Sequence, residues 1–256
     1  MKISIITLFP DMVRAFFQES IMKRAVEKGH LEISYINIRD FAVDEYGSVD
    51  DRPYGGGAGM VIRSDVVVPA IKSVIPKKKK GSKVILTSAK GKRFDQSTAY
   101  EYAKLDHLVI VAGHYEGFDE RVMPHIDAEI SLGDYVLTGG EIPACAIADS
   151  VVRLIPGVLK KSESTAEESF YSVGVDTLIE ICGEDEKLGF LKKNHIHQVQ
   201  LVEYPHYTRP VAFEGVEVPE LLQNGNHEEI RKWRIRQAYA QTIAKRPDLL
   251  DIRRDS

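Results

Sequence analysis

The sequence predicts an α/β protein with a mainly parallel sheet in its first 160 residues and a smaller helical part at its C-terminal end. Short apolar segments typical of buried strands alternate with helical segments over about the first 155 residues. This alternation is typical of parallel sheets whose strands are joined by helices. Beyond residue 160 the chain becomes acidic, then basic, with weak periodicity. We therefore expect domains at residues 1–160 and 201–256, joined by a linker at 161–200.

The individual elements follow from local composition and end signals. Strands are predicted at residues 2–9, 31–38, 83–87 and 108–112, with short apolar pieces at 129–132 and 135–137. Helices are predicted at residues 11–28, 64–74, 95–104, 141–154 and 226–246. Asp11 and Asp95 are suited to begin helices as N-caps, and Gly29 to end the first helix. Asn226 and Glu229 have the spacing of a capping box at the start of the last helix.

Net charge and cysteine content limit the class of protein. The formal net charge is −4, so any contact with nucleic acid must depend on local basic patches. One basic segment, residues 77–93, has eight Lys or Arg and no acid; it fits either a solvated surface or an electrostatic patch. The two cysteines are widely spaced in the sequence, which fits a reducing cytoplasm. The N-terminus resembles a strand rather than a signal peptide, and no apolar run is long enough for a membrane span. We therefore expect a cytoplasmic protein without a membrane span.

Several common chemistries are disfavoured by the motifs. The glycines at residues 55–59 do not fit the dinucleotide pattern, because its last glycine would fall on Met60 or Ile62. No phosphate-binding P-loop, zinc-protease or serine-hydrolase motif occurs. His195 and His197 lack acidic partners in the nearby sequence and are expected at the surface rather than as metal ligands. The residues themselves therefore predict no metal site.

Three polar segments with glycines follow predicted strands, at residues 87–91, 113–121 and 131–141. In an open α/β sheet, ligands bind at the carboxyl ends of the strands. Glycines allow backbone amides to approach a ligand closely, so such loops can bind the edge of a flat heterocycle. Each segment alone is explained by a turn, but the three together predict one shared pocket.

Longer strings in the chain resemble the tRNA (guanine-N1)-methyltransferases of the TrmD type. They are DDRPYGGGAGM (50–60), AGHYEGFDERV (112–122), SLGDYVLTGGE (131–141), DSVVRLIPGVL (149–159), EYPHYTRP (203–210), NHEEIRKWR (226–234) and KRPDLL (245–250). The resemblance implies a SPOUT-type fold, which is a parallel α/β sheet with a deep trefoil knot. It also implies a homodimer in which the C-terminal part of one subunit completes the active site of the other.

The same resemblance implies methyl transfer from S-adenosyl-L-methionine to N1 of the guanosine that follows the anticodon of tRNA. The implied cofactor-binding residues lie in the three polar segments and are Leu86, Thr87, Ser88, Ala89, Gly113, Tyr115, Glu116, Ser131, Leu132, Gly133, Tyr135, Leu137, Gly139 and Gly140. Glu116 is implied to lie near the sulfonium, where its charge is complementary. It is also a candidate magnesium ligand, since the family is associated with magnesium in catalysis.

Methylation at N1 needs a base to remove the N1 proton and a donor to stabilise the charge that develops on O6. By resemblance, Arg153 is the donor. The family's base is an aspartate in a Glu-Asp-Ser-Phe string, whereas this chain has glutamate at that place, Glu168. Glu168 is therefore the predicted base, and the alternative is that it is a surface acid of the linker.

Candidate RNA contacts come from both parts of the chain. Asp119 and Arg121 are candidates for contacting guanine or the tRNA backbone, or for pairing with each other. His206, Arg209, Arg231 and Arg234 form a predicted tRNA-binding surface in the C-terminal part, in which Trp233 is expected to contribute to the core.

About 30 residues after Phe170 have no counterpart in the family pattern, and a surface insertion is the expected explanation. Two rival functions remain at this point. One is a SPOUT methyltransferase that acts on another RNA, and the other is an RNA-binding module that has lost catalysis.

Overall fold

A computed structural model describes residues 1–77, 79–159 and 168–251 of the chain. Glu167 of the Glu-Glu-Ser-Phe string lies outside the described residues. The chain divides into two compact units, Met1–Ser162 and Glu163–Ser256. Each unit has a buried apolar core of its own.

The first unit is an α/β unit with a five-stranded parallel sheet. Its strands are β1 (Lys2–Thr7), β2 (Glu32–Asn37), β5 (Ser82–Arg93), β6 (His107–Ala112) and β7 (Ala128–Ser131), and a separate antiparallel pair is formed by β3 (Asp50–Asp51) and β4 (Val61–Ile62). The strand order in the sheet is β2-β1-β6-β5-β7, and all four pairings are parallel. The parallel α/β class predicted from the alternation is confirmed, while the trefoil knot stays a prediction.

Five helices cover the two faces of this sheet: α1 (Pro10–Phe17), α2 (Ser20–Glu27), α3 (Ser64–Val74), α4 (Gln96–Tyr102) and α5 (Glu141–Val152). One apolar cluster involves α1, α2, α4 and α5, and the other involves α3. Apolar residues on both faces explain why the strands are almost continuously hydrophobic rather than alternating. The side chain of Asp95 accepts a hydrogen bond from the backbone N–H of Thr98, so its predicted N-cap role is confirmed.

Two local predictions in this unit were wrong. The single helix expected at residues 11–28 is two helices, because Gln18 and Glu19 separate α1 from α2 and Ser20 has a positive φ of 51°. The strand expected to end at Thr87 continues to Arg93 beyond a shift in register between Thr87 and Lys92. Residues 88–91, predicted as a loop, are therefore the bulged part of one long strand.

Among its described residues, the second unit contains three α-helices and two short antiparallel strand pairs. They are β8 (Tyr171–Gly174), α6 (Val175–Cys182), α7 (Glu186–Lys193), β9 (Gln198–Leu201), β10 (Ala212–Phe213), β11 (Val216–Glu217) and α8 (His227–Lys245). Strand β8 pairs with β9, and β10 pairs with β11. Asn226 accepts a hydrogen bond from the N–H of Glu229, as expected for the start of α8.

The segment after Phe170 is part of the core of this unit rather than a surface insertion. Leu178 and Leu188 are fully buried in an apolar cluster with Ile235 and Ala238 of α8. The side chain of Arg236 in α8 also donates to the carbonyl of Ile181, and the two atoms are 2.9 Å apart. The sequence did not predict this packing, because the amphipathic periodicity of the segment is weak. Its buried positions are separated by charged residues on the exposed faces of the helices.

Truncation of Leu188 is expected to destabilise the second unit. Leu188→Ala removes a fully buried side chain, and changes of this kind lower the free energy of unfolding by about 2–5 kcal/mol. Chemical denaturation followed by circular dichroism measures the change. Lys193→Ala, at an exposed position of the same helix, is the matched control and should alter the free energy by less than about 0.5 kcal/mol. Equal stability of the two variants would contradict a core role for this segment.

Candidate active site

A cavity of about 460 Å³ lies beside the bulged part of β5 and the carboxyl ends of β6 and β7. Its size is suited to a small organic ligand. All fourteen residues predicted to bind the cofactor line it, in and just before the bulged part of β5, in the segment that follows β6, and in the end of β7 with the segment after it. The parallel arrangement explains this convergence, because it places the ends of neighbouring strands at one edge of the sheet.

The cavity wall also contains residues that were not predicted individually as cofactor contacts. They include Lys90, His114, Phe118, Glu120, Met123, Glu129, Val136, Thr138 and Pro143. Some of them lie between predicted residues and could have been found from their position in the same loops. Glu129 lies inside a strand and about one fifth of its side chain is exposed. Only the three-dimensional pairing of β7 with the bulged part of β5 shows that it reaches the cavity.

The walls of the cavity are held together where the three segments meet. The N–H of Gly140 donates to the carbonyl of Gly113 across 2.6 Å, and the hydroxyl of Thr87 donates to the carbonyl of Val111 across 3.3 Å. A side chain at Gly140 would collide with the Thr87 hydroxyl and with the backbone of Gly113. Glycine is therefore required here by close packing of backbones rather than by an unusual φ angle.

Gly140→Ala is expected to weaken ligand binding in the cavity by at least about tenfold and to lower stability by about 1–3 kcal/mol, because the added methyl group must separate two backbone segments. Isothermal titration with S-adenosylmethionine, the ligand that the resemblance implies, measures the change in binding, and thermal unfolding measures the change in stability.

Gly29→Ala is not a suitable control, since Gly29 has a positive φ. Gly189→Ala is suitable, because Gly189 lies within α7 and its added carbon would approach only the end of the Glu184 side chain. Unchanged binding by Gly140→Ala would contradict the close packing.

The glycine loop at residues 50–60 also contacts the cavity wall. The N–H of Glu116 donates to the carbonyl of Met60 across 3.1 Å, and the N–H of Ile62 donates to the carbonyl of Gly117 across 2.9 Å. A side chain at Gly59 would collide with the carboxylate group of Glu116. The loop therefore lies directly against Glu116, a contact that the sequence strings alone did not show.

The predicted catalytic residues belong to different units. Arg153 is the C-cap of α5 in the first unit, is partly buried and does not line the cavity. Glu168 begins a turn in the second unit, where its carbonyl accepts from the N–H of Tyr171. This turn is fixed to the rest of the unit, because the N–H of Phe170 donates to the carbonyl of Leu201 and the N–H of Glu203 donates to the Ser169 hydroxyl.

Asp119 and Arg121 pair with each other, which is one of the alternatives left open by the sequence. Their closest side-chain atoms are 2.6 Å apart. The hydrogen bonds from Arg121 hold the pKa of the Asp119 carboxyl below its usual value. Neither residue lines the cavity, and the Arg121 side chain remains about three-quarters exposed.

The predicted RNA-contacting residues of the second unit lie on α8 and on the preceding segment. Arg209 and Arg231 are exposed, and His206 is 2.7 Å from the carboxylate of Glu203. The guanidinium of Arg234 lies 4.8 Å from the ring centre of Tyr204. Trp233 is only half-buried and lies beside Tyr207, outside the buried cluster of the unit. The expectation that Trp233 belongs to the core was therefore wrong.

Neither a metal-ligand cluster nor a membrane-spanning helix occurs among the described residues. Among the residues that the structure describes, no three His, Cys, Asp or Glu side chains converge as ligands for a metal ion. Within those same residues, no helix is both long and apolar enough to cross a lipid bilayer.

The parallel sheet and the cavity of glycine-bearing loops at its carboxyl edge define an α/β protein with a site suited to a small organic ligand. A sequence model described as tRNA (Guanine-1)-methyltransferase TrmD matches residues 1–252. The chain belongs to this family of methyltransferases.

Individual relatives agree with the family match. The chain is 46% identical over 251 residues to a tRNA (guanine-N(1)-)-methyltransferase of Dictyoglomus turgidum, with 98% of this chain and 90% of the relative covered. It is 47% identical over 250 residues to the protein of the same name from Syntrophomonas wolfei, again with 98% and 90% covered. A Bacillus cereus protein of that name is 44% identical over 254 residues, which cover 99% of this chain and 93% of the relative.

Proposed function

We propose that this protein transfers a methyl group from S-adenosyl-L-methionine to N1 of the guanosine directly 3′ of the anticodon, position 37, in tRNA. The observation that carries the proposal is the convergence of all fourteen predicted cofactor residues on one cavity, in a chain of this family. Its relatives are named for the same reaction. Cytoplasmic location follows as part of the proposal, because tRNA is the substrate.

The cavity fits the proposed methyl donor. Gly113, Gly133 and Gly139 line the wall, and their lack of side chains lets a flat heterocycle approach the backbone closely. The carboxylate of Glu116 lies in the same wall and complements a positive sulfonium. The bound donor supplies an activated methyl group, so the chemical task of the protein is to orient the guanine and change its protonation. Magnesium stays a prediction of the family resemblance, with Glu116 as its candidate ligand, and no group of three or more potential ligand side chains occurs among the described residues.

The protein residues act on the guanine ring. Glu168 accepts the proton from N1, which frees the nitrogen lone pair for attack on the methyl carbon. Negative charge then develops on O6, where the guanidinium of Arg153 donates hydrogen bonds and stabilises it. After transfer, N1 carries the methyl group, Glu168 carries the proton, and the electron pair of the broken carbon–sulfur bond stays on the sulfur of the donor, which leaves as a neutral thioether. Alignment of the two reacting atoms contributes up to about 7–11 kcal/mol to such reactions.

We further propose that the active enzyme is a homodimer in which each cavity is completed by the second unit of the partner. This arrangement is the one expected for the family. The location of Arg153 and Glu168 in different compact units supports it, because a catalytic pair divided in this way can be assembled between subunits. The basic residues Arg209, Arg231 and Arg234, together with His206, would then contact tRNA phosphates or splayed bases beside the target.

Methyl transfer from labelled S-adenosylmethionine to paired tRNA transcripts tests this function. The two transcripts carry guanine or adenine at position 37 and are otherwise the same. We expect label only in the guanine transcript, and nuclease digestion should recover it as 1-methylguanosine. Equal labelling of both transcripts, or labelling only of a ribosomal RNA fragment, would overturn the proposed specificity in favour of another RNA. Cofactor binding without any transfer would favour a binding module.

A further inference from the structure

A buried carboxylate lies beneath the cavity, in contact with the ends of several strands. Glu141 is the first residue of α5, and only 3% of its surface is exposed. One carboxylate oxygen accepts a hydrogen bond from the hydroxyl of Thr7 at the end of β1, across 2.7 Å. That hydroxyl accepts in turn from the N–H of Phe9, so its single hydrogen is directed to Glu141. A buried charge fixed in this way requires partners that compensate for its lost hydration.

The second carboxylate oxygen of Glu141 faces a histidine of the cavity wall. It is 3.5 Å from Nδ1 of His114, which is longer than an ordinary N–H···O hydrogen bond. Nδ1 of His114 is buried and has no hydrogen-bond partner among the described residues. The two groups are therefore complementary and adjacent, but the hydrogen bond between them is not formed. A movement of a few tenths of an ångström would form it.

His114 is connected to the part of the wall that would face the methyl donor. Its ring lies between the rings of Phe9 and Tyr115, at centroid distances of 4.8 and 5.1 Å. Its carbonyl accepts from the N–H of Gly117, which closes a turn around Tyr115 and Glu116. The His114 ring therefore contacts Tyr115, and the His114 backbone closes the turn that carries the Glu116 carboxylate.

The third strand-end segment meets the same pair of side chains. Gly139 forms an isolated antiparallel bridge with His114. A side chain at Gly139 would collide with the Glu141 carboxylate and with Nδ1 of His114. Glu141 and His114 thus lie where β1, the segment after β6 and the segment after β7 come together.

We propose that Glu141 and His114 are a positioning pair for cofactor binding. When the cavity is filled, the His114 Nδ1–H forms a charge-assisted hydrogen bond to Glu141. This bond fixes the Tyr115–Glu116 turn against the ligand. The inference rests on the proposed function, because it takes S-adenosylmethionine as the ligand. Both side chains act through the turn and leave the proton transfer to other residues. Thr7 holds the carboxylate in place from the opposite side.

Four variants separate hydrogen bonding from ring packing. Glu141→Gln keeps an acceptor for Thr7 but replaces the charged acceptor that faces His114. His114→Phe keeps a ring against Phe9 and Tyr115 but removes Nδ1, whereas His114→Asn loses the ring and keeps an amide donor near the position of Nδ1. His197→Phe, at an exposed position of the second unit, is the matched control.

Titration calorimetry with S-adenosylmethionine and steady-state kinetics provide the readout. Loss of a hydrogen bond to a charged group should raise the Kd and the KM for the cofactor about tenfold in Glu141→Gln and His114→Phe, with kcat within about threefold of the parent value. His114→Asn should bind more tightly than His114→Phe, and His197→Phe should match the parent. The double variant Glu141→Gln/His114→Phe should bind no more weakly than either single variant, since the same bond is lost in all three.

Clear outcomes would overturn the inference. Unchanged cofactor binding in both single variants would exclude the hydrogen bond. So would a Kd in the double variant that is raised by the product of the two single-variant factors. Tighter binding by His114→Phe than by His114→Asn would exclude it as well. Should Glu141→Gln fail to fold, nitrogen-15 spectra of histidine-labelled parent enzyme remain decisive. A protected His114 Nδ1–H must appear on saturation with S-adenosylmethionine, and its absence would exclude the bond. Failure of the parent enzyme to bind the cofactor at all would instead contradict the proposed function.

Discussion

Arg153→Ala is expected to lower kcat by about 10²- to 10³-fold, because it removes the donor that stabilises charge on O6 of guanine in the transition state. The affinity for S-adenosylmethionine should change little, since Arg153 does not line the cavity. Single-turnover rates at saturating cofactor and tRNA measure the effect on chemistry. An effect confined to the KM for tRNA would instead show that Arg153 contributes only to substrate binding.

Two further variants sharpen this experiment. Arg153→Lys keeps the positive charge but loses the planar set of donors, so we expect a rate between those of the parent and the alanine variant. Arg24→Ala, at an exposed position of α2, controls for the general loss of a positive charge from the first unit. Nearly full activity of Arg153→Ala would remove this residue from the mechanism.

Glu168→Ala is expected to lower turnover by at least about 10²-fold, because the N1 proton then has no positioned acceptor. Glu168→Gln keeps the shape of the side chain and should be similarly slow. Glu168→Asp restores the residue type of the family pattern, and we expect it to retain much of the activity. Single-turnover kinetics with the guanine transcript measures all three rates.

The matched control for the base is Glu186→Gln, at an exposed acid in the first turn of α7. It should leave turnover unchanged, which excludes a general effect of lost negative charge in the second unit. Full activity of Glu168→Ala would transfer the role of base to another acid. Activity in Glu168→Asp but not in Glu168→Gln would locate the requirement in the carboxylate rather than in packing of the turn.

Local signals in the sequence were sufficient for much of the first unit. Helix α3 begins and ends where its apolar periodicity predicted, at Ser64 and Val74. The short β7 was predicted within one residue at each end. The cavity could also be predicted, because three polar segments each follow a strand and parallel strands end at one edge. In these cases the deciding interactions lie within a few residues of each other along the chain.

Other features depend on contacts between distant residues. The extension of β5 beyond Thr87 depends on Gly91, where a side chain would collide with the backbone of Glu129 and Ile130 in β7. The hydrogen bond between Glu141 and Thr7 spans 134 residues. In the sequence alone, Glu141 is typical of an acidic residue in the first turn of a helix, where it is favourable in any case. The role of Leu188 in a core likewise becomes visible only when α7 packs near α8.

The strand order also has a consequence for synthesis on the ribosome. β1 pairs with β2 on one side and with β6 on the other, and Lys2 is aligned with both Glu32 and His107. The inner edge of β1 therefore stays open until residues 107–112 have left the exit tunnel. Until then the emerging chain exposes the unpaired backbone groups and the apolar side chains of this strand. Unpaired strand edges of this kind pair with other chains and promote aggregation. Chaperones that cover the nascent N-terminus would therefore help this topology more than one in which neighbouring strands are consecutive in the sequence.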